Sequence, residues 1–200
     1  MTLYRRRERF STFSVKVGIA FSRVGLSPNQ WTLLSLLVIF VAFYFLVKGS
    51  FLIAAALFLF SSFLDLVDGS VARVTGKVTR LGAYLDTMVD RYIEGIIIIG
   101  LMFLPLPSLL VPSEVWLGIY LFGAMLTSYA KAAAKEKDLV GKEIKGGLLE
   151  RAERLLILFV GLLLASLSTL YLTYVIVLLA VLSNFSAIQR MVIAVRRGEG

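Results

Sequence analysis

The sequence predicts an all-α, polytopic membrane protein in which six transmembrane helices follow an N-terminal interfacial amphipathic helix. Three observations carry that fold class. Of 200 residues, 58% are hydrophobic, and the mean hydropathy is +0.87, more apolar than one soluble core could absorb. Several apolar runs reach about 20 residues, enough for a helix to cross a bilayer. The basic residues behind a net charge of +8 sit in short blocks beside those runs, on alternate connections, which is the loop asymmetry of a membrane protein.

The elements follow in order. Residues 4–24 place Phe10, Phe13, Val17, Phe21 and Val24 at helical spacing, with Arg5, Arg6, Arg7, Arg9, Lys16 and Arg23 on other faces; such a helix lies on the interface rather than crossing it. A secretory signal is the alternative, but no uninterrupted apolar segment or small-residue cleavage site follows the basic cluster. Ser27-Pro28-Asn29-Gln30 then reads as a helix start, with Ser27 as N-cap, Pro28 first and Gln30 closing a capping box. Spans are expected at about 30–48, 51–75, 80–104, 112–138, 148–168 and 170–195, so that 30–195 form one bundle and 1–200 a single membrane domain. Positive charge gathers at the N-terminus, at Arg73, Lys77 and Arg80, from Lys131 to Arg154, and at Arg190, Arg196 and Arg197. The intervening connections carry only Lys48 and the nearby Glu114. Both termini and the two charged connections are therefore expected on the cytoplasmic side of the cell membrane.

Composition also excludes chemistry. Cysteine and histidine are absent, which removes disulfides, thiolate catalysis, zinc fingers and histidine acid–base schemes. Catalysis is left to carboxylates, basic groups and hydroxyls. Nucleic acid is not an expected partner, because lipid head groups account for basic blocks placed beside apolar runs. Two asparagines, two glutamines and no cysteine fit a thermophilic source.

The stretch from Asp65 to Asp90, DLVDGSVARVTGKVTRLGAYLDTMVD, puts four aspartates into otherwise membrane-grade sequence. Intramembrane charges are costly and are commonly functional. Asp65, Asp68 and Ala72 share one helix face near the end of the second span; Gly82, Asp86 and Asp90 share another at the start of the third. A short connection around Gly76 makes the two helices antiparallel neighbours, so the carboxylates should converge at one depth. Like charges so close repel, whereas hard divalent cations take carboxylate and water ligands. Mg²⁺ or Mn²⁺ is the matching cofactor, and four carboxylates suit two ions. The small residues Gly69, Ala72 and Gly82 would let helices and a ligand approach closely. Salt bridges from the aspartates to Arg73, Arg80 or Arg91 are the purely structural alternative.

The spacing Asp65-x-x-Asp68-Gly69-x-x-Ala72-Arg73, eight residues, Gly82-x-x-x-Asp86-x-x-x-Asp90 resembles, without a departure, the signature of the CDP-alcohol phosphotransferase family. Six spans after an interfacial helix, and the Ser-Pro-Asn start of the first span, extend the resemblance over most of the chain. It implies an enzyme that binds a CDP-linked alcohol and transfers the phosphoryl-alcohol part to an acceptor hydroxyl, releasing CMP. It further implies Asp65, Asp68 and Asp86 as metal ligands and Asp90 as the catalytic base that also touches a metal. Gly69, Ala72, Arg73, Thr79 and Gly82 would line the nucleotide site with Asp65 and Asp68, and Pro28 and Asn29 join them by the same resemblance. A homodimer is expected on that ground too.

Lys131, at the end of the fourth span, Arg151 and Arg154 in the fifth, and Arg190 in the last form a set of cations suited to a second anion, most simply a phosphate. A solvated basic rim against lipid head groups is the alternative reading. The SYxK segment around Lys131, the pattern GLLERAER from Gly147 to Arg154, the terminal Gln189-Arg190 and the lead-in FSRVGLSPNQ resemble the phosphatidylinositol phosphate and archaetidylinositol phosphate synthase branch. The basic residue common two places after the SYxK lysine is Ala133 here. That likeness implies CDP-archaeol or CDP-diacylglycerol as donor and inositol 1-phosphate as acceptor. Lys131, Arg151 and Arg190 would hold the acceptor phosphate, with Arg154 in a secondary role. Two other readings stay open: the same family with glycerol phosphate, serine or a soluble polyol phosphate as acceptor, and a cation transporter using the aspartates as an ion site.

Overall fold

The computed structural model describes residues 3–140 and 148–198, with side chains from residue 13 onward. Among the described residues there are seven helices: α1 (Leu3–Ser22), α2 (Pro28–Val47), α3 (Phe51–Thr75), α4 (Arg80–Met102), α5 (Ser113–Glu136), α6 (Arg151–Ala165) and α7 (Thr169–Gly198). Each expected helix is present. Three of them, Pro28–Val47, Phe51–Thr75 and Thr169–Arg197, are long and apolar enough to cross a membrane, and the chain is a multi-pass membrane protein. Charge interrupts the others: α4 carries Asp86, Asp90, Arg91 and Glu94, and α5 ends in Lys131, Lys135 and Glu136. The element expected at 148–168 is shorter, because α6 has 15 residues, a rise of about 22 Å against a hydrocarbon core of about 30 Å. Both ends are fixed locally. Glu150 and Glu153 form a capping box at its start, and Ser168 N–H donates to Leu164 O at its end, 3.1 Å away.

The chain forms two compact units. The first comprises residues 1–45 and 56–97. Its core is built by α1, α2 and α3: Val17, Trp31, Leu64, Val67 and Val71 are buried together, with Phe21, Leu34 and Phe63 packed against them. Phe21 meets the Trp31 and Phe63 rings edge-on, at centroid distances of 5.4 and 5.6 Å. The apolar face read along α1 is therefore divided, since Val17 and Phe21 turn inward while Phe13 and Val24 stay exposed; Phe10 lies outside the described side chains. The Ser27 start of α2 forms as expected. Ser27 N–H donates to Gln30 Oε1 at 2.8 Å, and Gln30 N–H returns to Ser27 Oγ at 3.4 Å. Gly76, at φ +68°, ends α3 in the left-handed conformation that glycine adopts without strain. Lys77 N–H reaches back to Ala72 O at 3.0 Å, the closing bond of a Schellman ending. That tight exit lets α4 begin four residues later, at Arg80.

The second unit comprises residues 46–55 and 98–200. Here α7 packs on α5 and α6, and Leu117, Tyr120, Leu158, Leu162, Leu172, Ile176 and Leu179 are fully buried. Close approach explains two glycines. A Cβ on Gly123 would lie 2.5 Å from Asn184 Nδ2, and one on Gly161 would lie 2.8 Å from Val175 Cγ1. Asn184 uses the proximity, donating from Nδ2 to Ile119 O at 2.8 Å. Bonds from polar side chains to a neighbouring helix's backbone supply the directional part of packing where lipid removes the hydrophobic contrast.

Candidate functional site

The first unit brings three of the four aspartates together. Asp65 and Asp68 on α3 and Asp86 on α4 each offer a carboxylate oxygen, and the three atoms lie within 4.8 Å of one another. Helical spacing aligns the α3 pair, and the Gly76 turn carries α4 back beside it. Asp68 is buried, with 3% of its surface exposed, and accepts a hydrogen bond from Thr32 Oγ1 at 2.5 Å. Asp90 stands one turn beyond Asp86 and outside that group. Its Oδ2 pairs with Arg91 Nη1 at 2.9 Å, a salt bridge to one of the arginines offered by the structural alternative.

A cavity of about 180 Å³ opens beside the cluster. Pro28, Asn29, Asp68, Gly69, Ala72, Arg73, Thr79 and Gly82 line it, with Asp86. Every residue expected at the nucleotide site except Asp65 therefore faces one space. Gly82 is a close-approach position, because a Cβ there would stand 3.0 Å from Thr79 Oγ1 and 3.2 Å from Asn29 Oδ1. Thr79 Oγ1 also accepts the Gly82 N–H at 3.0 Å, which caps the first turn of α4. Thr32 and Lys77 line the cavity too and were not among the expected site residues. Thr32 stands near Asn29, Gln30 and Ser35 in the first turns of α2 and carried no signal that singles it out. Lys77 carried none beyond its place in a charged connection.

The expected cations lie in the second unit. Arg190 on α7 is buried, and its Nη1 donates to Thr127 O on α5 at 3.1 Å, one turn before Lys131. The approach to α6 is held by α7 at the same level: Leu149 N–H donates to Ser186 Oγ at 3.0 Å, and Leu148 N–H to Gln189 Oε1 at 2.8 Å. Arg151 follows as the first residue of α6. Thr127, one turn before Lys131, and Leu148 and Leu149, just before Arg151, are thus bonded to one stretch of α7, residues 186–190. The glutamates of the Glu150-Arg151-x-Glu153 pattern have a structural reason, since Glu150 N–H donates to Glu153 Oε2 at 2.8 Å and so sets where Arg151 emerges. Arg154 is buried with 1% exposure. Gly147, which opens the pattern, lies outside the described residues.

Residues 26–196 match the family model described as CDP-alcohol phosphatidyltransferase. The chain is 30% identical over 185 residues to the archaetidylinositol phosphate synthase of Pyrococcus horikoshii, covering 92% of each chain. It is 35% identical over 171 residues to the enzyme of that name from Methanothermobacter thermautotrophicus, covering 85% of this chain and 84% of the relative. Its fold is similar to the crystal structure of Mycobacterium tuberculosis phosphatidylinositol phosphate synthase with CDP-DAG bound, with a TM-score of 0.78 and 29% identity over 90% of this chain and 92% of that one. The same enzyme in complex with manganese and citrate gives a TM-score of 0.79 at 29% identity, over 90% of this chain and 88% of that one.

Proposed function

The chain belongs to the CDP-alcohol phosphatidyltransferase family, and from that premise we propose that it moves the archaetidyl or phosphatidyl group of a CDP-lipid to inositol 1-phosphate, releasing CMP. The observation that carries the reading is the three-carboxylate cluster at the wall of a cavity lined by the family's signature residues. The names of the curated relatives support the acceptor, and the lipid nucleotide bound to the mycobacterial enzyme supports the donor. Two archaeal relatives that make archaetidylinositol phosphate favour CDP-archaeol, with CDP-diacylglycerol the ester-linked counterpart.

Carboxylate oxygens within 4.8 Å of one another fit hard divalent cations, which take oxygen ligands. Asp65, Asp68 and Asp86, with Asp90 at the edge, would hold two Mg²⁺ or Mn²⁺ ions. When bound, such ions neutralise charge on the pyrophosphate and the departing CMP. Thr32 holds Asp68 in place through its hydroxyl. Asp90 takes the proton from the attacking hydroxyl, and Arg91 orients its carboxylate. Gly69, Ala72 and Gly82 keep the cavity wall low enough for the nucleotide, Asn29 and Thr79 offer it polar contacts, and Arg73 meets its phosphates. Lys131, Arg151 and Arg190 bind the acceptor phosphate.

The same reading takes α2 to α7 as six spans, with α1 on the cytoplasmic interface and the active site on that side. It includes a homodimer, from family likeness. CMP release by purified protein in detergent tests the chemistry, with Mg²⁺, CDP-archaeol or CDP-diacylglycerol, and inositol 1-phosphate, free inositol, glycerol 3-phosphate or serine in separate reactions. Release with inositol 1-phosphate alone is the expected result. Release with another acceptor would overturn the acceptor assignment, and silence throughout would overturn the reaction.

A further inference from the structure

We propose that Ser14 of α1 is a positioning residue for the donor site, because its hydroxyl determines which edge of the Arg73 guanidinium faces the nucleotide cavity. The inference rests on the nucleotide reading of that cavity. Arg73 Nη2 donates to Ser14 Oγ at 2.8 Å and to Ser70 Oγ at 3.3 Å. Ser14 Oγ and Ser70 Oγ lie 2.8 Å apart, and Ser70 Oγ donates to Leu66 O at 2.8 Å. A hydroxyl has one proton to give, so the direction is determined: Ser70 spends its proton on Leu66 and accepts from Ser14, which in turn accepts from Arg73.

Nη2 is thereby turned towards the two hydroxyls. The N–H groups of Nη1 and Nε remain available, since a guanidinium carries five donors in a rigid fork. Nη1 lies at Gly69, 3.2 Å from where a Cβ would stand, and Gly69 and Arg73 both line the cavity. Ser14 is 5% exposed and Ser70 is fully buried, so water does not replace the serine bonds. The approach of α1 is fixed as well: a Cβ on Gly18 would stand 2.5 Å from Ser70 O and 2.6 Å from Val74 Cγ2. A helix whose outer face suits the membrane surface therefore contributes, through one hydroxyl, to the site that receives a lipid-linked nucleotide.

The test is a double-mutant cycle on the full-length protein in detergent, comparing the parent, Ser14→Ala, Arg73→Ala and the double variant. KM for the CDP-lipid is read beside KM for inositol 1-phosphate, with binding of CMP and Mg²⁺ measured separately by calorimetry. Ser14→Ala should raise the CDP-lipid KM about fivefold, the loss of one charge-assisted hydrogen bond with a weaker one remaining, and leave the acceptor KM unchanged. In the Arg73→Ala background the same change should have no further effect. Ser14→Thr, which keeps the hydroxyl, should stay within about twofold of the parent, whereas Ser14→Val of the same shape should behave as alanine does. Those two variants carry the comparison if Ser14→Ala does not accumulate folded. Ser22→Ala, at an exposed hydroxyl of the same helix, is the control. Additive effects of Ser14→Ala and Arg73→Ala, or a Thr variant as impaired as the Val variant, would overturn the inference while leaving the reaction intact. A parent that releases no CMP but binds CMP with Mg²⁺ would overturn the acceptor or reaction reading instead, and the cycle would then be read on CMP affinity. No binding in the parent would overturn both.

Discussion

The carboxylate site of the first unit and the cation set of the second are built in opposite ways. Asp65, Asp68 and Asp86 come from two consecutive helices joined by a turn of a few residues, so helical periodicity and one glycine bring them together. Lys131, Arg151 and Arg190 come from α5, α6 and α7, and only contacts between helices relate them, among them Arg190 to Thr127 O and Leu149 to Ser186. The first arrangement is local in sequence and carries its meaning in spacing. The second is assembled, and its residues acquire a meaning only where α7 meets its two neighbours. Damage should differ accordingly, with substitutions in the first unit striking the chemical step or the donor and those in the second striking the acceptor or the packing.

The sharpest separation is expected at Asp90. Asp90→Asn should lower CMP release by about 10³-fold, the range of a lost general base, while CDP-lipid binding is largely retained. Near-normal turnover would remove Asp90 from the role of base. Chelation of divalent ions should silence the enzyme as fully and be reversed by adding Mg²⁺ or Mn²⁺, and turnover that survives a chelator would break the cation reading of the cluster. Arg151→Ala should raise the inositol 1-phosphate KM by about tenfold or more, the worth of one charge-assisted hydrogen bond, with donor KM unchanged. Equal weakening of donor and acceptor would dissolve the contrast between the two units. Gly82→Ala should raise donor KM several-fold, because its new methyl crowds Asn29 and Thr79 at 3.2 and 3.0 Å; those side chains can yield a little. Gly123→Ala should act on stability rather than substrate. Its methyl meets the Asn184 backbone nitrogen at 2.8 Å, so a loss of about 1–3 kcal/mol, read as a lowered Tm in detergent with KM values unchanged, is expected.

Much of the carboxylate site was legible in the chain. The Ser27 capping box, the extent of α3 and the shared faces of the aspartates depend on interactions within three or four residues, and sequence spacing is a direct record of those. Asp90 marks where that record ends. Its helical phase relates it to Asp86, but whether it joins the cluster depends on the rotation of α4 against α3 and on the pull of Arg91, and it stands outside the group. Thr32 and Ser14 belong to helices whose partners lie 36 and 56 residues away, and no periodicity along α1 or α2 points to those partners. The short α6 shows the same limit from another side, since the element expected at 148–168 begins only at Arg151 and ends at Ala165.

The amino-acid sequence by itself determined the membrane class, the seven helices, the turn at Gly76 and the types of group available for chemistry. Those follow from hydropathy, backbone propensity and side-chain inventory, each a property of short stretches of chain. Tertiary structure alone decided that Asp68 is buried against Thr32, that Arg73 is held by a serine from α1, that Asp90 stands outside the group of three carboxylates, and that α7 bonds to α5 through Arg190 and to the approach of α6 through Ser186 and Gln189. Packing of one helix on another selects a rotation and a depth for each, and a side chain finds its partner only after that selection is made.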